Sequence, residues 1–194
     1  MKTKLITGPA TQILETSDVK TFLRVSGSDE DALILAFIKT ATKAIENYTG
    51  RALITQTWEQ YHDTLPYNDR WVTFQVGPVQ SITSFKYKLG SSVLTFDSSL
   101  YDLDEAGTFN RLFLKEDYAW PELDIEANAV TIRFVAGYGD AATDVPDDII
   151  QAARLMVGFL YENRDDRITR SPFRSAAMPT AISYLLNPYR LWEF

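Results

Sequence analysis

The chain has 194 residues, of which 45% are apolar and 23% charged, and this balance predicts one folded globular domain, residues 1–194. It has no cysteine, which excludes disulfides, thiolate nucleophiles and cysteine-ligated metals. Its net charge of −7 disfavours a protein that grips DNA, because phosphate binding depends on Lys and Arg.

Residues 1–15 show no clear periodicity, and the first predicted helices follow them. No apolar run approaches the roughly 20 residues of a membrane span, and residues 1–8 lack the apolar stretch of a signal peptide, so we expect synthesis in a cytoplasm. A short helix is predicted from about Thr16 to Leu23. The clearest helix runs from about Asp29 to Tyr48, with Ser28 as its expected N-cap and Thr49-Gly50 as its end.

Between residues 51 and 139 the pattern changes to β-branched and aromatic runs separated by turn signals. Seven strands are predicted, at about 53–62, 71–76, 79–88, 92–96, 100–103, 110–114 and 128–136. The last strand has the clearest alternation: Val130, Ile132, Phe134 and Ala136 should face one side. A second long helix is then predicted from about Pro146 to Glu162, with Asp144 as a possible cap.

The residues after this helix differ from the rest of the chain. The stretch 164–179 contains two prolines and four arginines, and it predicts a mobile loop that could order against an acidic partner. A short helix is predicted at about 180–186, followed by an aromatic C-terminus that either folds back onto its own domain or anchors another chain. The candidate partner-binding residues are Arg164, Arg167, Arg170, Arg174, Tyr189, Arg190, Leu191, Trp192 and Phe194.

The candidates for catalysis are weak. His62 is the sole histidine, and no G-x-S-x-G elbow is present, so a surface or strand-end role is favoured over a catalytic triad. The carboxylate clusters Asp102–Glu105 and Asp144–Asp148 could in principle bind a metal or hydrolyse a glycoside, but capping and solvated roles fit their positions better. The segment 137–139 matches neither phosphate-loop pattern and predicts a tight exit from the preceding strand. No catalytic residue, cofactor or metal is therefore expected.

Four stretches occur together in an order that resembles the head–tail connector (adaptor) proteins of tailed bacteriophages. They are TSDVKTFLRV at 16–25, DEDALILAFIKTATKAIENYTGRALITQTWE at 29–59, FVAGYGDAATDVPDDIIQAARLMVGFLYENR at 134–164 and LLNPYRLW at 185–192. The helix end ENYTGR, the strand-to-helix join AGYGD…VP and the late PYR are the most specific parts. The resemblance is weakest across 63–127.

The resemblance implies an α+β fold. Its parts would be a core of two long helices and shorter ones (about 16–50 and 144–163), a β-rich insert (about 51–140) and a C-terminal arm (about 164–194). It also implies a structural subunit of the virion neck, which in such proteins is a ring of typically twelve copies. That ring would bind the portal protein and a stopper or tail protein, and DNA would pass through it without specific binding. The alternatives are another phage structural role, in tail completion or the minor capsid, and a carboxylate-dependent hydrolase.

Overall fold

The computed structural model describes residues 2–66, 69–106, 109–163 and 178–191. These residues form an α+β fold, as the change from helical to strand periodicity near residue 51 predicted. The described helices are α1 (Thr16–Leu23), α2 (Asp31–Thr49), α3 (Asp147–Glu162) and α4 (Thr180–Leu186). The strands are β1 (Lys2–Thr7), β2 (Gln56–His62), β3 (Trp71–Thr73), β4 (Val79–Leu89), β5 (Ser92–Thr95), β6 (Tyr101–Asp104), β7 (Arg111–Leu114) and β8 (Val130–Ala136).

Helix α2 is the centre of the helical core. Ile34, Ile38, Ala41 and Ile45 recur at three- and four-residue spacing and are fully buried, which is the single apolar stripe of a core helix. They pack in one cluster with α1, α3 and α4. The helix ends at Gly50, whose φ of 72° is the left-handed geometry that favours glycine. The expected N-cap was wrong: the residue before the first turn is Glu30, and it makes no side-chain capping bond.

Helix α3 packs against α2 through one face of small and apolar side chains. Ile149, Ala152, Ala153 and Val157 are fully buried, and Pro146 immediately precedes the first turn. Three- and four-residue spacing from Met156 and Ala152 also predicts Phe159 near this face, but its side chain is 44% exposed. Val157 takes the buried place because it lies one turn after Ala153, in the row that faces α2.

The strands form two sheets. The larger has the order β1-β2-β8-β4-β5 and the smaller the order β3-β7-β6, and every pairing is antiparallel. Strand β8 is the middle strand of the larger sheet. As predicted, Val130, Ile132, Phe134 and Ala136 point to one side, where all four are fully buried. They join a second apolar cluster with side chains of the smaller sheet, including Phe74 and Leu112.

Strand β1 was not predicted. It is an edge strand whose register with β2 includes Lys4 opposite Glu59 and Leu5 opposite Trp58, and most of its residues are exposed. An edge strand with little buried surface needs no apolar alternation, so its sequence carries no period-two signal.

The two apolar clusters meet at the segment between α2 and β2. Ala52 belongs to the sheet cluster, while Leu53 and Ile54 belong to the helical cluster. Backbone bonds from Ala52 N to Gly77 O (2.8 Å) and from Thr55 N to Gly139 O (2.9 Å) hold the segment between two loops of the β-rich region. Across the described ranges, no helix is long and apolar enough to cross a membrane.

Candidate functional site

The described part of the C-terminal arm begins with α4. Ile182 and Leu186 of this helix are buried against the helical core. Tyr184, on the opposite face, is 78% exposed. Helix α4 is therefore a part of the core that presents one large aromatic side chain to its surroundings.

The chain after α4 turns back along the end of α2. The Arg51 guanidinium donates from Nε to the carbonyl of Tyr189 (2.5 Å), and the Leu191 N–H donates to the carbonyl of Thr49 (2.8 Å). The Leu191 side chain lies so close to Gly50 that a β-carbon at position 50 would stand 3.2 Å from its Cβ. The left-handed backbone at Gly50 favours glycine, and a side chain there would also press on Leu191.

Aromatic and charged side chains reinforce the same contact. The Tyr48 hydroxyl donates to Asn187 Oδ1 (2.8 Å), and the Arg190 guanidinium stands 5.0 Å from the centre of the Tyr48 ring. The Tyr189 hydroxyl donates to Asp148 Oδ2 (3.2 Å). Burial, and then the Asp148 charge, raise the pKa of Tyr189. The motifs ENYTGR and PYR, which are far apart in sequence, therefore meet in one contact.

The structure thus places three of the nine candidate partner-binding residues, Tyr189, Arg190 and Leu191, against their own domain. The others, Arg164, Arg167, Arg170, Arg174, Trp192 and Phe194, lie outside the described residues. Both readings of the aromatic C-terminus were left open by the sequence. They concern Trp192 and Phe194, which lie outside the described residues, so both remain open. Tyr189 to Leu191 lie against their own domain, and their role in partner binding stays a prediction.

The strand-to-helix join after β8 is built by two glycines. Gly137 has a φ of 143°, and a β-carbon there would lie 2.7 Å from the backbone of Ile54 and Thr55. At Gly139 a β-carbon would collide with the Asp144 carboxylate, at 2.2 Å. The tight exit predicted for 137–139 is confirmed. Asp144 was expected to cap α3, but it does not. Its carboxylate instead accepts a hydrogen bond from the Ala141 N–H (3.0 Å), which closes the loop.

His62 ends strand β2 in a polar cluster. The buried Gln60 amide is oriented by two bonds, from Gln75 N to its Oε1 (3.0 Å) and from its Nε2 to Thr73 O (2.9 Å). Its second amide hydrogen is then directed at His62 Nε2, 2.8 Å away, so this ring nitrogen accepts and is unprotonated. Burial lowers the pKa of His62 to about 4. The position at the end of the strand is as predicted. Because the His62 ring is neutral at pH 7, it adds no charge to this polar cluster.

The carboxylates of the first cluster are paired with cations on the exposed side of the small sheet. Asp104 accepts two bonds from Arg111 (2.6 and 3.2 Å), which lower the pKa of its carboxyl. Asp102 lies 3.3 Å from Lys115 Nζ. Within the ranges described, no group of three or more acidic or histidine side chains could hold a metal ion. The arrangement is that of an ion-paired sheet surface.

Two features were missed by sequence reasoning. On the exposed face of the small sheet, the rings of Trp71 and Phe113 stack at 6.4 Å, and the Arg111 guanidinium lies 5.6 Å from the Trp71 ring centre. Period-two alternation in β3 and β7 could have placed these three on one face. The second feature, a cleft beside Trp58, depends on how α2 packs on β2 and has no local signal.

The fold is shared with chains of solved gene transfer agent (GTA) particles. The chain is similar to a chain of the virion of the native gene transfer agent, with 24% identity and a TM-score of 0.80. It is also similar to chains of the neck of the empty particle (22%, 0.79) and of the native particle (23%, 0.77). Each match covers 100% of this chain and 97% of the other. These matches define the class of the chain as an α+β protein that shares the fold of those chains.

A family model places the chain more closely. The model of the head completion proteins matches residues 12–192, and the chain belongs to that family. The membership confirms the predicted relation to phage head–tail connectors and the predicted role as a structural subunit of the neck that joins head and tail in the virion. A comparison with curated proteins finds no match.

Proposed function

We propose that copies of this chain form a ring beneath the portal of the capsid, where they join the DNA-filled head to the stopper and tail. The observation that carries the proposal is the family match over residues 12–192. It is supported by the fold shared with chains from neck structures computed with C6 and with C12 symmetry. A dodecamer is the assembly proposed here, with each copy presenting the same two surfaces to its neighbours.

In this role the protein acts by assembly and catalyses no reaction. The histidine is neutral at pH 7 because burial lowers its pKa to about 4. Three of the acidic residues that drew attention in the sequence are engaged: Asp104 with Arg111, Asp102 with Lys115 and Asp144 with the Ala141 N–H. These contacts support a structural reading of each group.

The charge of the chain suits a channel through which DNA moves. A net charge of −7 supplies repulsion rather than the counterion release that drives tight phosphate binding. The ring would therefore surround DNA without holding it. No sequence-specific contact is proposed.

The arm is proposed to bind the portal. Helices α3 and α4 both pack in the helical core, so the sequence 164–177 joins two fixed points. Its four arginines could pair with portal carboxylates in bidentate fashion. The six outer residues of the candidate set, namely Arg164, Arg167, Arg170, Arg174, Trp192 and Phe194, would make these contacts, with Tyr189, Arg190 and Leu191 holding the root of the arm.

Replacement of the four arginines by glutamine tests the portal contact without changing any residue that the structure describes. We expect unchanged thermal stability and loss of co-sedimentation with portal-bearing capsids. The matched control replaces Arg24, Arg70, Arg133 and Arg154, which lie outside the arm, one at a time. If the quadruple variant binds capsids as the parent does, the arm does not bind the portal.

A further inference from the structure

The two sheets leave two outer faces that point away from each other. Phe134 of the larger sheet and Leu112 of the smaller belong to the apolar cluster between the sheets. The residues next to them along each strand therefore point outward, on opposite sides of the subunit. Head-to-tail assembly requires such an arrangement, because each copy presents different surfaces to its two neighbours.

The outer face of the larger sheet is cationic. Paired residues, and alternate residues of one strand, share a face. This rule places five cations of the described strands on the outer face, which we call the basic face: Lys2, Lys4, Lys86, Lys88 and Arg133. Arg133 binds Glu59 (2.6 Å) and Lys88 binds Glu126 (2.8 Å). Among the described residues, no salt bridge engages the other three lysines, and all three are exposed.

The outer face of the smaller sheet presents aromatic rings and a carboxylate. Strand pairing sets Trp71 opposite Phe113, and Phe113 opposite Asp102. The two rings stack at 6.4 Å and are 38% and 37% exposed, and the Asp102 side chain is 67% exposed. Exposed aromatic pairs of this kind are typical of a surface that another protein covers. We call this surface the aromatic face.

The two faces complement each other chemically. A lysine can lay its methylene stem on an aromatic ring and direct its ammonium to a carboxylate beside the ring. The aromatic face already holds one such cation of its own: the Arg111 guanidinium lies 5.6 Å from the Trp71 ring centre and binds Asp104 (2.6 Å). Two basic faces would instead repel each other, which disfavours a symmetric pair of copies joined through that face.

The dimensions also agree. At about 4.8 Å between strands, the aromatic face spans about 10 Å and the basic face about 19 Å, so the first fits within the second. Opposite faces suit a ring of many copies, since twelve copies turn by only about 30° from one to the next. A contact of this size is too small to hold two free copies together, so we expect it where the portal aligns the copies.

We propose that the aromatic face of one copy docks on the basic face of the next copy in the ring. The rings of Trp71 and Phe113 lie on the large sheet of the neighbour, and its free lysines surround them and face Asp102. The inference rests on the proposed ring and adds which two surfaces form its repeated contact.

Cross-linking tests this contact, and a chain without cysteine makes engineered cross-links specific. Thr131→Cys places a thiol on the middle strand of the basic face, and Thr73→Cys places one beside Arg111 on the aromatic face. Protein with both changes is bound to portal-bearing capsids and treated with a short bismaleimide. We expect a ladder of cross-linked species up to the full ring, whereas each single variant stays monomeric.

The matched control joins Thr131→Cys with Tyr184→Cys, on the exposed side of α4, and should give no ladder. Lys2→Glu with Lys86→Glu, added to the double-cysteine protein, should abolish the ladder. Arg24→Glu with Lys39→Glu makes the same change of charge elsewhere and should keep it. Every variant should melt with the parent, which checks that the fold is intact.

Electron microscopy of the same capsids separates the two claims. Capsids that gain no ring from the parent protein contradict the proposed function, and this contact with it. A ring without the ladder, dimers from either single variant, or an equal ladder from the α4 control overturns the assignment of surfaces alone. So does a lysine variant that keeps the ladder but loses affinity for duplex DNA, because the basic face would then bind phosphates instead.

Discussion

Replacing the buried Gly137 with alanine should destabilise the protein more than the same change at Gly90 or Gly8. The residue has a φ of 143°, and such sparsely populated backbone geometry costs a side-chain-bearing residue on the order of 1–3 kcal/mol. The new β-carbon would also stand 2.7 Å from Ile54 C, Ile54 O and Thr55 N. These are backbone atoms, so no side-chain rotation relieves the contact.

The surrounding backbone is held on both sides. Thr55 N donates to Gly139 O (2.9 Å), and Tyr138 N donates to Leu53 O (3.2 Å). Relief of the contact must therefore separate the two segments that connect the helical core to the sheet, at an overpacking cost of about 1–3 kcal/mol. The total is roughly 2–6 kcal/mol, or about 5–20 °C in melting temperature for a chain of this size.

The measurement is urea unfolding, followed by both far-ultraviolet circular dichroism and tryptophan fluorescence. Two glycines serve as controls. Gly90 has a φ of 61° but open space around it, so Gly90→Ala isolates the backbone term. Gly8 has neither feature, and Gly8→Ala should stay within about 0.5 kcal/mol of the parent. If Gly137→Ala unfolds at the same urea concentration as Gly90→Ala, the packing argument for this join is wrong.

Three further predictions concern pH, the arm and DNA. Burial lowers the pKa of His62 in the folded protein from 6.5 to about 4. Between these pH values the unfolded state therefore binds more protons than the folded state. The free energy of unfolding should then fall by about 3 kcal/mol in total as the pH drops from about 6.5 to 4. His62→Gln should flatten that part of the curve in urea unfolding measured across this range, and an equal slope in the variant would assign it to other groups. Deletion of 188–194 removes the Tyr189 and Leu191 backbone bonds and should lower the melting temperature by several degrees; a deletion protein that melts with the parent would show that the fold-back contact contributes nothing. Duplex DNA should bind only weakly at physiological salt, by fluorescence anisotropy, because the chain carries a net charge of −7; a submicromolar Kd would contradict the channel reading.

The long helices and the buried strand could be predicted from the sequence, whereas the exposed edge strand could not. The presence of helix α2 and the alternation of β8 could be predicted because each element buries one continuous face, and burial enforces periodicity. The bounds of the short strands also came within a few residues. Strand β1 could not be found, because it is an exposed edge of the sheet and nothing selects its side chains for alternation.

The end of a helix was predicted correctly where a glycine's backbone conformation determines it, and the predicted side-chain caps were wrong. Gly50 ends α2 as expected, since its positive φ is a property of the residue. The caps assigned to Ser28 and Asp144 failed, because competing partners in the fold decide where a side-chain oxygen donates or accepts. Asp144, for example, closes its own loop at Ala141.

The sequence indicated which motifs form the candidate site, but not that these motifs contact each other. The motifs ENYTGR and PYR pointed to a family, and the structure shows why both matter: Arg51 binds the carbonyl of Tyr189, and Leu191 packs on Gly50. Contacts between residues more than a hundred positions apart leave no local trace in one sequence. The cleft beside Trp58 also had no local signal, whereas the alternation in β3 and β7 could have placed the exposed Trp71–Phe113 stack.

The central claim is that this chain builds a ring on the portal. Its most direct test is to mix the purified protein with purified portal rings and to image the mixture by electron microscopy. The account predicts a second ring, coaxial with the portal, that surrounds an open channel and whose copy number is read from the class averages. Portal rings that stay bare at protein concentrations well above those in an infected cell would contradict it.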